Sequence, residues 1–204
     1  MQLIETIKAV DGKLFYLEYH QQRFDESLKI LESSFSVRLG DLLDPPEKGT
    51  VRCRLLYNST GILSISYLPY TPGTFNTLQA VVDNKIEYGL KSADRSALDA
   101  LYRLRGRADD IAIIKNGLLT DTSIANIALF DGNDWFTPAA PLLKGTVRQR
   151  LLKNGELKER EIHFNELHLY KKVAIMNAML GFIEVKNGII APKSEGENLP
   201  YYAF

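Results

Sequence analysis

The chain has 204 residues, and its 25 basic and 25 acidic side chains balance, so no global field draws it to nucleic acid or to an anionic membrane surface. A single cysteine, Cys53, excludes an intramolecular disulfide framework and any multi-cysteine metal site. No run approaches the ~18 consecutive apolar residues of a membrane span, and the opening MQLIETIKAVDGKLF lacks the apolar core of a signal peptide, so a cytoplasmic protein is expected.

In chain order, Leu3 to Val10 and Lys13 to Leu17 predict a β-hairpin, with Asp11-Gly12 supplying the positive-φ turn. From Tyr19 the period changes: Phe24, Leu28 and Leu31 fall at helical spacing as far as Ser33-Ser34. A short helix over Leu39 to Leu43 is stopped by Pro45-Pro46. Strands are expected over Val51 to Asn58, with Cys53 as a small buried hydrophobe, and over Ile62 to Tyr67, joined through Ser59-Thr60-Gly61. Pro69-Tyr70-Thr71-Pro72-Gly73 is the best linker candidate.

Beyond it, Leu78 to Val82 and Ile111 to Ile114 predict strands, and Ser96 to Leu104 a helix carrying Leu98, Leu101 and Tyr102. Thr146 to Leu152 predicts a helix closed by Asn154-Gly155. Ile162-His163-Phe164 predicts a short strand, and Asn165 a cap for a helix through Tyr170. Further strands are expected over Val173 to Met176 and Phe182 to Val185, and the tail from Lys193 is polar with aromatic residues at its end. Clustered strands with interspersed helices indicate an α+β or mixed architecture in two lobes.

Several groups have chemical potential. Lys91 lies between a strand and a helix; held and partly desolvated it is an amine able to form a Schiff base, and otherwise it is a solvated charge. Asp121 can keep a ring nitrogen protonated, or simply satisfy local backbone N–H groups in a turn. Gly145-Thr146-Val147 opens a helix whose free N–H groups and dipole can hold a phosphate. Arg148 either serves a ligand there or lies along the helix surface. Arg23 follows His20 by three residues, so both lie near one helix face; it either reaches a phosphate or is a solvated charge. His163 and His168, five apart with no cysteine nearby, form no metal site.

The order His20-x-x-Arg23, Lys91, Asp121 with Asn126-Ile127, Gly145-x-x-Arg148 and Asn177 to Val185 resembles the class IV aminotransferase family, the fold-type IV pyridoxal-phosphate enzymes. The likeness runs from about Ile4 to Val185. The strings Lys91 to Arg95, Ala125-Asn126 and Asn177-Ala178 resemble the aminodeoxychorismate lyases of that family most. The resemblance implies an α+β, two-lobed D-amino acid aminotransferase-like fold with a shortened N-terminus. Residues 1–69 would form the N-terminal lobe, 70–76 the linker, and 77–204 a C-terminal lobe carrying the Schiff-base lysine.

It further implies pyridoxal 5'-phosphate as cofactor, with Lys91 as the catalytic residue and proton shuttle. Arg23, Gly145, the backbone at Thr146 and Val147, and Asn177 or Ala178 would bind the phosphate end. Asp121 would face the pyridine nitrogen, where the family usually has glutamate, and Asn126 completes the cofactor-binding set. A homodimer acting on a small amino compound is implied, with neither nucleic acid nor membrane as partner. Pyruvate elimination, as in the lyase, is the expected reaction. Branched-chain or D-amino acid transamination is the alternative, and a non-catalytic cofactor-binding or regulatory protein is the reading of another class. The loop Asn58 to Gly61 lacks the arginine- and glycine-rich sequence typical of the lyase.

Overall fold

The computed structural model describes residues 1–191 and 201–202. Contacts divide the chain into one unit of Met1–Pro72 with Leu90–Asp94 and a second of Gly73–Gly89 with Arg95–Phe204.

In the first unit, β1 (Leu3–Val10) turns back into β2 (Lys13–Leu14). Asp11 and Gly12 both take positive φ, 47° and 76°, the conformation that an Asp-Gly hairpin turn requires. Helix α1 (Leu17–Ile30) starts two residues before the expected Tyr19, because Tyr16 adopts the left-handed conformation and turns the chain early. The one-turn helix α2 (Leu39–Leu42) ends ahead of Pro45-Pro46. Strands β3 (Thr50–Asn58) and β4 (Gly61–Pro69) complete an antiparallel sheet of order β2-β1-β3-β4.

Alternation along β3 sends Val51, Cys53, Leu55 and Tyr57 inward against Leu3, Ile7, Phe24, Leu28 and Leu39. Burial pushes the Cys53 thiol up to about 11, which leaves it an unreactive core side chain.

The segment Leu90–Asp94 joins this sheet. Because β2 is two residues long, the Leu3 end of β1 is left with backbone groups to satisfy. Leu3 bridges Ser92 in antiparallel sense, Ile4 N–H donates to Lys91 O at 2.9 Å, and Ala93 N–H donates to Gln2 O at 2.9 Å. Lys91 was expected in the C-terminal lobe; its segment packs with the first unit instead.

The second unit holds β5 (Leu78–Val82), α3 (Ser96–Tyr102), β6 (Asp110–Lys115), β7 (Leu118–Leu119), β8 (Asn126–Phe130), β9 (Trp135–Pro138), α4 (Thr146–Lys153), β10 (Lys158–Arg160), β11 (Lys172–Asn177), β12 (Gly181–Val185), β13 (Ile189–Ile190) and β14 (Tyr201–Tyr202). They form two sheets, ordered β10-β9-β8-β11-β12 and β14-β13-β5-β6-β7. Strands β5 and β6 pair in parallel, with α3 in the crossover between them as a parallel pair requires.

The strand expected over residues 162–164 is reduced to a bridge between His163 and Leu118. A 3₁₀ helix over Phe164–Leu169 takes up Phe164, and His163 rather than Asn165 precedes it. Most of the expected polar tail lies outside the described residues. Among the described residues, no helix is long and apolar enough to cross a membrane.

Leu78, Ile114, Ile127, Leu129, Val173 and Ile175 are at the centre of one core cluster of this unit. Ile127 is fully buried on β8, directly after Asn126. Ile127→Ala is expected to cost about 2–5 kcal/mol by the lost burial and the cavity left behind, read from the midpoint of urea denaturation.

Candidate active site

The first unit builds its polar centre from a break in a pattern. Period two along β1 puts Leu3, Glu5, Ile7 and Ala9 on one face, and all four are buried. Glu5 is thus a carboxylate on an apolar face with no solvent exposure. Such a charge needs close partners, and α1 supplies them. Arg23 donates through Nε to Glu5 Oε1 at 2.8 Å and through Nη2 to Oε2 at 2.6 Å, a two-bond fork. His20, one turn earlier on the same face, meets Glu5 Oε2 through Nδ1 at 2.7 Å.

Burial opposes ionisation of Glu5, but the Arg23 charge and the bonds from His20 and Arg23 outweigh it and hold the carboxyl down at about 2. An ionised carboxylate only accepts, so His20 Nδ1 carries the proton in this pair. Burial depresses the His20 pKa, Glu5 opposes that effect, and the charges of Arg23 and Lys91 add to it. Lys91 is half-buried and close enough for its charge to act on His20. The expected pair Arg23 and Lys91 thus belongs to one charged cluster, centred on a glutamate that the sequence reading missed. The signal was present: an acid at the second of four inward positions in an apolar strand.

The second unit assembles the other candidates. Thr122 N–H donates to Ala125 O at 2.8 Å, and Thr122 Oγ1 accepts from Ile124 and Ala125 N–H groups at 3.2 and 2.9 Å. This tight turn makes Asp121 and Asn126 an antiparallel bridge pair, so a spacing of five becomes a face-to-face position with neighbouring side chains. Asn126 Nδ2 donates to Asp121 Oδ1 at 2.7 Å and to Leu143 O at 2.7 Å. Leu143 N–H donates to Asp121 Oδ2 at 2.9 Å.

Burial raises the Asp121 pKa to about 6. The N–H groups of Leu143 and Leu142, the Asn126 amide and the Arg148 charge all pull against that rise.

Two residues past Leu143, extended Gly145 (φ −71°, ψ 148°) precedes the first turn of α4, which has no side-chain cap. Its leading N–H groups are therefore of the kind that bind anions. Thr146 and Val147 are buried there. A Cβ on Gly145 would come within 2.1 Å of Asn126 Oδ1, so glycine is required by close approach.

Arg148 is 2% exposed and so does not lie along the helix surface. Its Nη2 donates to Pro138 O at 2.9 Å and to Glu159 Oε1 at 2.6 Å, which ties this edge of the guanidinium to β9 and β10.

Asn177 and half-buried Ala178 open the turn between β11 and β12. Asn177 Oδ1 accepts from Met179 and Leu180 N–H groups, both at 2.9 Å, and Nδ2 donates to Ile124 O at 3.2 Å. Arg95 Nη2 donates to Ser123 O at 3.0 Å. The turn next to Asp121 is thus held from two sides; Arg95 entered the sequence reading only as the end of the Lys91 to Arg95 string, and the Leu143 backbone did not stand out.

Each donor set, taken within its own unit, fits part of a phosphorylated pyridine. In the first unit Arg23 is a residue type that pairs with phosphate, and in the second the uncapped helix start is of the kind that binds one. Asp121 Oδ1 accepts from Asn126 and Oδ2 from Leu143, with Leu142 N–H also bonding the carboxyl; a carboxylate has about four acceptor sites, which leaves capacity for a ring N–H.

The model of the amino-transferase class IV family matches residues 2–187. An uncharacterized Haemophilus influenzae protein is 37% identical over 185 residues, covering 88% of this chain and 98% of its own. A solved Haemophilus somnus structure, named a "putative 4-amino-4-deoxychorismate lyase", is 34% identical with a TM-score of 0.82, covering 88% of this chain and 97% of its own. A hypothetical aminotransferase from Mycobacterium tuberculosis in its PLP-bound form shares the fold, at 16% identity and a TM-score of 0.75, covering 92% of this chain and 81% of its own. With nearly its whole length matched, the chain belongs to the class IV aminotransferase family.

Proposed function

We propose that this protein is a pyridoxal-phosphate-dependent enzyme that acts on a small amino compound and eliminates pyruvate, as an aminodeoxychorismate lyase does. The observation that carries the cofactor reading is the bonded group of Asp121, Asn126 and Leu143, with Gly145 in close approach to Asn126 at an uncapped helix start. The name of the Haemophilus somnus relative supports the choice of reaction.

When bound, the cofactor supplies a sink for the electron pair left at the substrate's α-carbon. Lys91 would hold the cofactor through its amine, and that amine, when free, would move the α-proton as a base and acid. Arg23, fixed by Glu5, and the leading N–H groups of α4 would each be a phosphate contact. Ionised Asp121 would keep the proton on the ring nitrogen. We place the enzyme in the cytoplasm as a homodimer.

Purified protein is expected to be yellow, and borohydride is expected to remove the visible band and leave a mass adduct on Lys91. A colourless protein that takes up no added cofactor overturns the proposal. Pyruvate release from aminodeoxychorismate, compared with amino transfer from a panel of L- and D-amino acids, tests the reaction. Transfer without pyruvate release would make the protein a transaminase. Cofactor uptake without turnover on any amino donor would make it a binding or regulatory protein. Size-exclusion chromatography with light scattering checks the dimer.

A further inference from the structure

Asn126 was expected among the cofactor contacts, yet its amide is engaged within the chain. Both Nδ2 hydrogens have acceptors, Asp121 Oδ1 and Leu143 O, each at 2.7 Å, and an amide nitrogen has only two to give. The same Leu143 returns a bond through its N–H to Asp121 Oδ2 at 2.9 Å. The three residues close a ring that is 4% exposed at both Asp121 and Asn126. On the other side, Asn126 Oδ1 lies over Gly145, where a Cβ would come within 2.1 Å.

We propose that Asn126 is a positioning residue and not a cofactor contact: it fixes the place and proton affinity of the Asp121 carboxylate and locks that acid to the start of α4, and Gly145 is glycine to admit it. The inference rests on reading Asp121 as the acid that faces a ring nitrogen. It adds how a side chain one methylene shorter than the usual glutamate is held in register with the anion-binding helix end.

The surroundings of Asp121 support it. From β8 comes the Asn126 amide, from the loop before α4 the Leu142 and Leu143 N–H groups, and from α4 the Arg148 charge. From β6, Ile113 N–H donates at 2.8 Å to the backbone oxygen of Asp121. The donors stabilise the ionised form against burial, and Asn126 is the one donor that a substitution can remove cleanly. A bond to a buried carboxylate is worth about one to two pH units of its titration midpoint.

The test uses the cofactor-free protein with carboxyl-¹³C aspartate, the Asp121 signal being the one missing in Asp121→Asn. Asn126→Ala is expected to raise the Asp121 midpoint by about one pH unit or more. Asn126→Asp is expected to raise it further, because two adjacent carboxylates must share a proton. Gly145→Ala, which displaces Asn126 without removing it, is expected to act in the same direction. A residue that served packing alone would lower the melting temperature in all three and leave the midpoint unmoved, which overturns the proposal.

The wild-type chain gives a check that needs no variant. The Asn126 side-chain amide signal should shift at the Asp121 midpoint, and its indifference to that titration also overturns the role. Cofactor uptake by the same samples is read separately. A moved midpoint without a visible band overturns the cofactor reading alone; a visible band with an unmoved midpoint overturns the positioning role alone.

Discussion

Lys91→Ala is expected to abolish the borohydride-stable adduct and to lower turnover by at least about a thousandfold, since one amine serves both attachment and proton transfer. The variant should fold. The link of this segment to β1 is made by the backbone, Ile4 N–H to Lys91 O and Ala93 N–H to Gln2 O, and alanine keeps both bonds. Lys91→Arg is the sharper control. It preserves the positive charge that acts on His20, but an arginine stays protonated and cannot form the covalent link. Single-turnover kinetics and mass spectrometry after reduction read the two effects. Turnover within tenfold of the parent protein would remove Lys91 from the chemistry.

Glu5→Ala is expected to have the largest effect on stability. It leaves Arg23 and His20 buried without their acceptor, and breaking a buried pair in this way costs about 3–5 kcal/mol. For a chain of this size that is a fall in melting temperature of roughly 10 °C. Glu5→Gln should recover part of the loss, because the amide oxygen still accepts one of the three bonds.

Phosphate binding should weaken in parallel, since Arg23 is aimed by Glu5. A drop in stability with unchanged cofactor affinity would show that Glu5 holds the fold but not the arginine.

The same group sets the acid limit. Glu5 titrates near 2 when folded and at 4.5 when free, so its contribution is complete above about pH 4.5 and is lost as the pH falls through 2. His20, whose pKa is lowered by burial, acts in the same direction. The unfolded chain takes up that proton below 6.5, ahead of the native state, and stability falls with it. Asp121 acts oppositely. Its folded value of about 6 lies above the free value of 3.8, so its contribution is present below 3.8 and lost as the pH rises through 6. Denaturation midpoints of the parent and Glu5→Gln proteins across pH 3–8 should separate these slopes.

The hairpin at Asp11-Gly12, the alternation along β3 and the apolar runs of β6 and β11 were legible in the sequence because each depends on neighbours along the chain. So were the candidate residues Arg23, Lys91, Asp121, Gly145 and Asn177, once their order was set beside a family pattern. Their roles were not. Whether Arg23 is a solvated charge or the partner of a buried acid depends on Glu5, eighteen residues away on another element. Whether Asp121 satisfies a turn or stands as a buried acid depends on Leu143 N–H and on burial that no local spacing reports.

The early start of α1 and the 3₁₀ helix that takes up Phe164 differ from expectation because local caps and turns moved boundaries that periodicity leaves loose. What the sequence determined by itself was the menu of strands and helices and the chemistry on them, because those follow from side-chain period and type. Only the tertiary structure decided which charges are buried together, that residues 90–94 pair with β1 and not with the strands of the second unit, and that glycine at 145 answers to Asn126. Each of those turns on a contact between segments far apart in the chain, and the free energy of a buried polar group is set by such contacts and not by its own neighbours.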